Sequence, residues 1–408
     1  MAALTPWYVA QLGAREHYAI PRSLHARSRL GQCYTDLWAG TRCCRMAACI
    51  PGMRSLGGRH HRELPDDKVT AWNSASLLRQ ARARMAGQSS SAYHTFIADG
   101  QWFSKKVATA IQRSTVEHAL FFSYDTTFLE AARAASERGW KTVVGQMDPG
   151  LLEQQLTKEE EQAWHGWTVA PLNVPAAYNE RRAMEWASAD RIIVNSEWTR
   201  DALLAQQVPA DKLRVIPLAY DSTYTPLART MPVSFTQQRP LRVLYLGQVN
   251  LRKGIPYLCE AAKCLCREPV RFDIVGPLGI TTEAIRKAPN NVHFHGRRDR
   301  LDIAALYEQA DVFILPTVSD GFAITQLEAM AHGLPVIATT SCADVVIDGV
   351  NGQRICPRNV SAICDAVLRY ITEPTLLDKH SEGALMRARD YRLNTLADHL
   401  VALSAEFN

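Results

Sequence analysis

Residues 310–338 read ADVFILPTVSDGFAITQLEAMAHGLPVIA. The run 311–315 is β-rich and apolar on both faces, as a strand buried inside a parallel sheet requires. A loop with Pro316, Asp320 and Gly321 follows, and the spacing after it predicts a helix over about 323–332. Ser319 or Asp320 would cap its start, and Gly333 followed by Pro335 would stop it. A second strand is expected at 335–338. On the helix, Ile324, Leu327 and Ala331 share one face by i, i+3, i+7 spacing, and Glu328 falls on the same side. A carboxylate beside a core-facing stripe costs several kcal/mol unless a partner offsets its desolvation. Glu328 therefore requires a partner, either a structural cation or ligand hydroxyls.

Working outward, residues 241–254 read LRVLYLGQVNLRKG: a strand, Gly247, a loop carrying Arg252 and Lys253, then Gly254 and a helix over about 255–267. In open α/β sheets anionic groups bind where a glycine turn and a helix start follow the carboxyl end of a parallel strand. Arg252 and Lys253 are thus candidate diphosphate ligands. Neither the GxxxxGK[ST] order nor GxGxxG is present. Further strands are read at 119–123, 141–145, 191–195, 213–217 and 271–275, alternating with amphipathic helices. The alternation breaks at 222–240, where three prolines and polar residues mark a linker between two α/β domains. The final helices are placed at about 360–373 and 375–406, and the stripe Leu396, Leu400 and Leu403 reads as packing. Residues 50–98 read as a loop-rich insertion, in which the exposed pair His60 and His61 is not expected to bind metal.

The chain has 408 residues, enough for two domains, and its 47% apolar and 21% charged composition excludes a disordered or fibrous protein. No stretch reaches the roughly 18 apolar residues of a spanning helix, and Pro6 and Gln11 interrupt the one candidate leader. Ten cysteines without CxxC pairing fit a reducing cytoplasm; Cys259, Cys264 and Cys266 read as small buried hydrophobes. The formal charge of +5 is uneven: residues 1–62 hold nine arginines and two acids, +7, leaving about −2 elsewhere. Such a start suits phosphate recognition or a solvated face. Aromatic and basic residues are not interleaved in the manner of RNA binders, so no nucleic-acid partner is expected.

These residues resemble the family 4 retaining glycosyltransferases of GT-B fold, also called glycosyl transferases group 1. Asp320 and Glu328, with seven residues between them, resemble the family's E-x7-E motif. LYLGQVNLRKG, IVGP (274–277), NVHFHG (291–296), ALYEQADVFILPT (305–317) and DVVIDGVNG (344–352) agree in order and spacing. Before the linker, EWASADRIIVNSEWTRDALL (185–204) and KLRVIPLAYD (212–221) do so too, whereas residues 1–180 match only through Gly13 to Glu16 and GQMDPG (145–150).

The resemblance implies an α/β GT-B architecture: two Rossmann-like domains with parallel sheets facing each other across a cleft. An acceptor-side domain would span 1–225, a linker 226–240 and a nucleotide-sugar domain 241–389, with 390–408 crossing back onto the first. It implies transfer of a sugar from a nucleotide diphosphate sugar to an acceptor hydroxyl, with retention. Glu328 would accept hydrogen bonds from the ribose, and Asp320 would hold hydroxyls of the donor sugar. Backbone amides of Gly321, Phe322, Ala323 and Ile324 would face sugar and phosphate, and Arg252 and Lys253 would neutralise the departing diphosphate. Gly247 belongs to the same strand end, the base would sit on backbone near Gly296 and Arg297, and Gly13, Arg15 and Asp148 would stand on the acceptor side. No D-x-D triplet occurs, so neither a metal nor a further cofactor is expected.

Several positions depart from the family pattern. Asp320 is one methylene shorter than the customary Glu, Gln248 replaces an Arg, Ala323 a Gly, Met147 a His, and SCADVV (341–346) a glycine-rich stretch. They leave a second reading, a non-catalytic GT-B protein that binds nucleotide sugars; epimerase or phosphorylase chemistry on the same fold ranks behind it. With the diphosphate cations in the second domain, the N-terminal arginines become candidates for an anionic or lipid-linked acceptor. A cytoplasmic protein in peripheral contact with an inner membrane face would meet such an acceptor.

Overall fold

The computed structural model describes residues 5–40, 58–85, 92–221 and 232–407. The first half runs β1 (Trp7–Gln11), α1 (Ala19–Ala26), β2 (Leu30–Thr35), β3 (Val69–Ala71), α2 (Asn73–Met85), α3 (Ala92–Gln112), β4 (Leu120–Tyr124) and α4 (Leu129–Glu137). It continues through β5 (Lys141–Gln146), α5 (Leu151–Ala163), α6 (Ala176–Ser188), β6 (Arg191–Val194), α7 (Glu197–Ala205) and β7 (Leu213–Val215). The second half holds β8 (Leu241–Leu246), α8 (Ile255–Cys264), β9 (Val270–Val275), α9 (Thr282–Arg286), β10 (Val292–Gly296), α10 (Arg300–Gln309) and β11 (Val312–Leu315). It closes with α11 (Thr325–Ala331), β12 (Val336–Thr339), β13 (Gly352–Ile355), α12 (Val360–Thr372), α13 (Thr375–Ala388) and α14 (Leu393–Ala405).

Two parallel sheets result, ordered β3-β2-β1-β4-β5-β6-β7 and β10-β9-β8-β11-β12-β13. Parallel neighbours need crossovers, which the helices supply while covering both faces. In each sheet the chain winds outward from a central strand and then returns to that strand's other side. The reversal falls between β1 and β4 in the first sheet and between β8 and β11 in the second. Such switch points open a crevice at the carboxyl ends of the strands. Gly13, Asp125, Gly247 and Pro316 stand at these four ends.

A single apolar cluster fills the second sheet's surroundings, while the first sheet carries one cluster on each face. Leu396, Leu400 and Leu403 of α14 pack into the first sheet's cluster, and the Trp7 indole N–H donates to Ser404 Oγ at 2.8 Å. Burying one such leucine contributes about 1.5–3 kcal/mol, so α14 fastens the end of the chain to its beginning.

Several expectations are corrected. The described part of 50–98 is not loop-rich: β3 extends the sheet edge, α2 fills 73–85 and α3 begins at 92. The sequence NSASLLRQARARM lacks a clean apolar stripe, but its Leu, Arg, Gln and Ala residues favour helix intrinsically. The expected helix 375–406 is broken by a 3-10 turn at Arg389–Tyr391. Cys259 is buried, but Cys264 and Cys266 are exposed. Neither Ser319 nor Asp320 caps α11, which starts at Thr325 with Ile324 as its N-cap; Asp320 Oδ1 instead accepts from Phe322 N at 3.2 Å. Residues 321–324 are therefore a loop, not a first helical turn.

Candidate functional site

The loop after β8 is fixed by close backbone approach. Gly254, at φ +73°, precedes α8, and a Cβ there would lie 1.8 Å from Pro316 O, so only glycine permits this contact. Val318 N donates to Arg252 O at 2.8 Å, tying the loop after β8 to the loop after β11. Lys253 then meets the Asp320 carboxylate directly. Arg252 Nη1 donates to Ser319 O at 2.8 Å and to Glu153 Oε2 at 3.0 Å, the latter on α5 of the other half. Burial, with Arg252 close by, holds the Lys253 ammonium below its ordinary value. Burial likewise raises Glu153, against the pull of Arg252. The basic pair and the first motif carboxylate thus form one cluster at the β8/β11 switch point.

Glu328 has the partner that its position on α11 demands: Tyr307 of α10 donates from its hydroxyl to Glu328 Oε2 at 2.9 Å. Tyr307 is fully buried and stacks on His332. Burial and the adjacent carboxylate push its phenol well up, so it remains a donor. Only one carboxylate oxygen is used in this bond, and Glu328 itself is half-buried.

The loop 321–324 lies against the first half. A Cβ on Gly321 would fall 2.0 Å from Met147 O, and the Asn195 amide donates to that same oxygen at 2.9 Å. Phe322 is buried, and Ala323 and Ile324 are half-buried. Ala323 stands at φ +58°, which explains why glycine is customary there. Gly296 ends β10 at φ +63° and Arg297 beyond it is exposed, two strands from β8. Gly247 N donates to Val275 O at 3.0 Å, holding the ends of β8 and β9 together.

Across the cleft, Asp148 follows β5, where its Oδ1 accepts from Gly150 N at 2.9 Å and from Arg182 at 2.6 Å. Arg182, 2% exposed at its side chain, also lies 3.4 Å from Asp125 after β4. Burial raises both carboxyls, but Arg182 outweighs it for Asp148, which ends below its ordinary value while Asp125 stays above. Arg15 lies over the Tyr124 ring at 4.7 Å and close enough to Asp125 to draw its pKa down. The next three residues, Glu16, His17 and Tyr18, all have φ between +49° and +62°. Such a run of left-handed non-glycine residues stores strain of a kind that gathers at functional sites. Burial lifts Glu16 to about 7.

Gly13 lies apart from this cluster. Its N–H donates to Asp36 Oδ1 at 2.8 Å, and Arg59 binds the same oxygen at 2.9 Å. With Leu78, Arg79, Arg82, His94 and Trp102 it lines a cavity of about 950 Å³ under α2 and α3. Three of the N-terminal arginines are ion-paired within the protein. Arg22 is buried between Glu63 and Asp221, Arg27 pairs with Asp398 and Arg59 with Asp36; Arg42, Arg45 and Arg54 lie outside the described residues. Among the described residues one group of potential metal ligands occurs, His61, Glu63 and Asp221, and the Arg22 guanidinium already lies between its two carboxylates. His60 packs on Trp38.

Sequence reasoning missed Arg182, Asp125, Glu153 and Tyr307. A signal existed for Arg182: Arg181, Arg182 and Glu185 share the buried side of α6 with Trp186, a placement that ions do not adopt without partners.

Two family models match the chain: "Glycosyl transferases group 1" over 240–373 and "Glycosyltransferase Family 4" over 161–224. D-inositol 3-phosphate glycosyltransferase of Xylanimonas cellulosilytica is 25% identical over 244 residues, 54% of this chain and 58% of that protein. Alpha-D-kanosaminyltransferase of Streptomyces kanamyceticus is 27% identical over 252 residues, 57% of this chain and 64% of that protein. The matches therefore span less than two thirds of these relatives' lengths. Among solved structures, Anabaena HepE in complex with UDP-glucose superposes with a TM-score of 0.64 at 16% identity over 98% of this chain and 100% of that one. Sucrose-phosphate synthase of Thermosynechococcus elongatus gives 0.63 at 17% identity over 98% and 99%. These likenesses, with the two facing parallel sheets, define a GT-B fold. The two family models, the glycosyltransferase relatives and the GT-B neighbours together support a group 1 glycosyltransferase of the family 4 type.

Proposed function

We propose that this protein transfers a sugar from a nucleoside diphosphate sugar to an acceptor hydroxyl in the cleft, with retention at the anomeric carbon. The observation that carries the reading is the cluster of Arg252, Lys253 and Asp320 packed through Gly321 against Met147 and Asn195 of the opposite wall. Arg252 and Lys253 meet the diphosphate, supplying the positive charge the leaving group needs without a metal. Glu328 accepts from the ribose hydroxyls with the oxygen Tyr307 leaves available, Asp320 holds the donor sugar, and the amides of 321–324 border it. The base lies along Gly296 and Arg297. In the transfer step the bond from C1 to the diphosphate oxygen breaks and its electron pair leaves with the phosphate. The acceptor oxygen bonds C1 from the same face, and its proton passes to the departing phosphate oxygen. A Rossmann relative with UDP-glucose bound supports this donor class.

The acceptor enters on the side of Gly13, Arg15 and Asp148. Arg22, Arg27 and Arg59 are ion-paired within the fold, so charge for an anionic or lipid-linked acceptor comes also from exposed Arg82, Lys105 and Lys106 on α2 and α3. Leu77, Leu78 and Phe96, 46%, 52% and 54% exposed, stand on the same two helices. That surface suits peripheral contact with an anionic membrane; among the described residues no helix is long and apolar enough to cross one. The test is transfer from a panel of labelled nucleotide sugars by wild type and Glu328→Ala. A loss of about 100-fold or more is expected, and full activity of the purified variant overturns the donor-site assignment.

A further inference from the structure

The cation placed for the diphosphate already has an anionic partner. Arg252 Nη1 donates to Glu153 Oε2 at 3.0 Å, and Ser319 Oγ lies 3.4 Å from the same oxygen. Both side chains are about four-fifths buried, so the contact is shielded from the salt screening that weakens surface pairs. Glu153 belongs to α5 of the opposite wall. A phosphate oxygen on Arg252 would stand beside this carboxylate, and two like charges so close repel strongly in a partly desolvated cleft. Either Glu153 moves away or the phosphate is held less tightly.

α5 is built for such an exchange. Its far end is clamped to the second half by Glu160, which binds Arg358 Nε at 2.6 Å and accepts from the Tyr257 hydroxyl at 3.2 Å. Glu159 binds Arg358 at 2.9 Å, and Trp164 packs edge-on to Tyr257. With that end secured, the Glu153 end can surrender one ion pair without the cleft losing its alignment.

We propose that Glu153 competes with the donor's diphosphate for Arg252 and so sets how tightly the site holds it. A phosphate group on Arg252 must displace the carboxylate, and that cost is the same for every ligand that takes the position. Engagement of Lys253 as well as Arg252 lets a diphosphate meet it, while Glu153 lowers the affinity of diphosphate and single phosphate alike. This rests on the assignment of Arg252 and Lys253 to the diphosphate.

The experiment is calorimetric binding of pyrophosphate and of orthophosphate, probes that carry no base, to the full chain. Wild type, Glu153→Gln, Glu160→Gln and Lys253→Ala are compared, with thermal melts confirming that each is folded. Glu153→Gln is expected to bind pyrophosphate about fivefold or more tightly, and to gain by a similar factor for orthophosphate. Glu160→Gln, which loosens the clamp but leaves Arg252 paired, should bind as wild type does. Unchanged or weaker binding by Glu153→Gln overturns the proposal, as does an equal gain in Glu160→Gln, which would mark general loosening of the cleft. Should Lys253→Ala bind pyrophosphate as well as wild type, the donor-site assignment itself fails; loss of binding there with no gain in Glu153→Gln removes the competition alone.

Discussion

The two walls of the cleft use arginine in opposite ways. On the second wall Arg252 reaches from a loop, keeps a fifth of its side chain exposed, and shares its charge between a carbonyl and a carboxylate of the other half. On the first wall Arg182 lies buried on α6 and holds two carboxylates, Asp125 and Asp148, that follow adjacent strands. One arginine is available to a ligand, while the other is needed to keep its neighbours charged inside the protein. The two arginines of this cleft therefore differ in burial and in what their loss would strand.

Breaking this contrast gives the largest effect. Arg182→Met strands the buried Asp125 carboxylate and leaves the half-buried Asp148 without its cation, and is expected to destabilise the protein by about 3 kcal/mol. Arg252→Met removes a pair that is about four-fifths buried and is expected to cost about 1–2 kcal/mol in stability, between a surface and a fully buried pair, while weakening nucleoside diphosphate binding. Urea denaturation of both variants, beside calorimetric titration with a nucleoside diphosphate, measures the two quantities. Comparable stability losses would erase the distinction between the walls.

The contrast also explains how much was legible in the amino-acid sequence. The second sheet's strands expected at 241–246, 271–275, 311–315 and 335–338 lie within two residues of those observed, because each is a mostly apolar, β-rich run flanked by turn residues. Arg252, Lys253 and Asp320 sit on short loops next to those strands and Glu328 on the helix that follows, so local spacing brings Arg252, Lys253 and Glu328 into view and the family resemblance adds Asp320. The first wall assembles its charges from positions 125, 148 and 182, on separate loops and a helix, and no local pattern links them. β1, β2 and β3 were likewise unread: LGQCYT mixes polar and apolar residues, and β3 has only three residues at the sheet edge. Tyr307 escaped notice because a tyrosine in an amphipathic helix resembles ordinary core until its hydroxyl finds Glu328.

A smaller effect sharpens the first wall. Glu16 sits in the left-handed run beside Tyr124, and burial moves its folded pKa from 4.5 up to about 7. A raised folded pKa means that the native chain holds this proton more tightly than the unfolded one. The stability it contributes is fully present below pH 4.5 and lost as pH rises through about 7. Because Glu16 retains some solvent contact, the loss is expected to be of order 1 kcal/mol. Glu16→Gln removes the titration, so the difference in unfolding free energy between wild type and variant should change between pH 5 and 8 by about that amount. A pH-independent difference would show that Glu16 is ionised throughout.

The smallest effect tests two neighbouring positions of the loop that joins the walls. Gly321 and Ala323 are two residues apart, yet their requirements differ. At Gly321 the constraint is space, since a Cβ would fall 2.0 Å from Met147 O; at Ala323 it is backbone conformation, φ +58°. Ala323→Gly relieves left-handed strain worth about 1 kcal/mol, but gives back part of it as unfolded-chain entropy, leaving a gain of about 0.5 kcal/mol. Gly321→Ala has no such compensation: it must push the loop off Met147 or move Met147 itself. The first variant should melt slightly higher with donor binding intact. The second should lose donor affinity before it loses stability, because what it displaces is the contact between the walls rather than either core. Equal behaviour of the two variants would mean that conformation, not close approach, governs the whole loop.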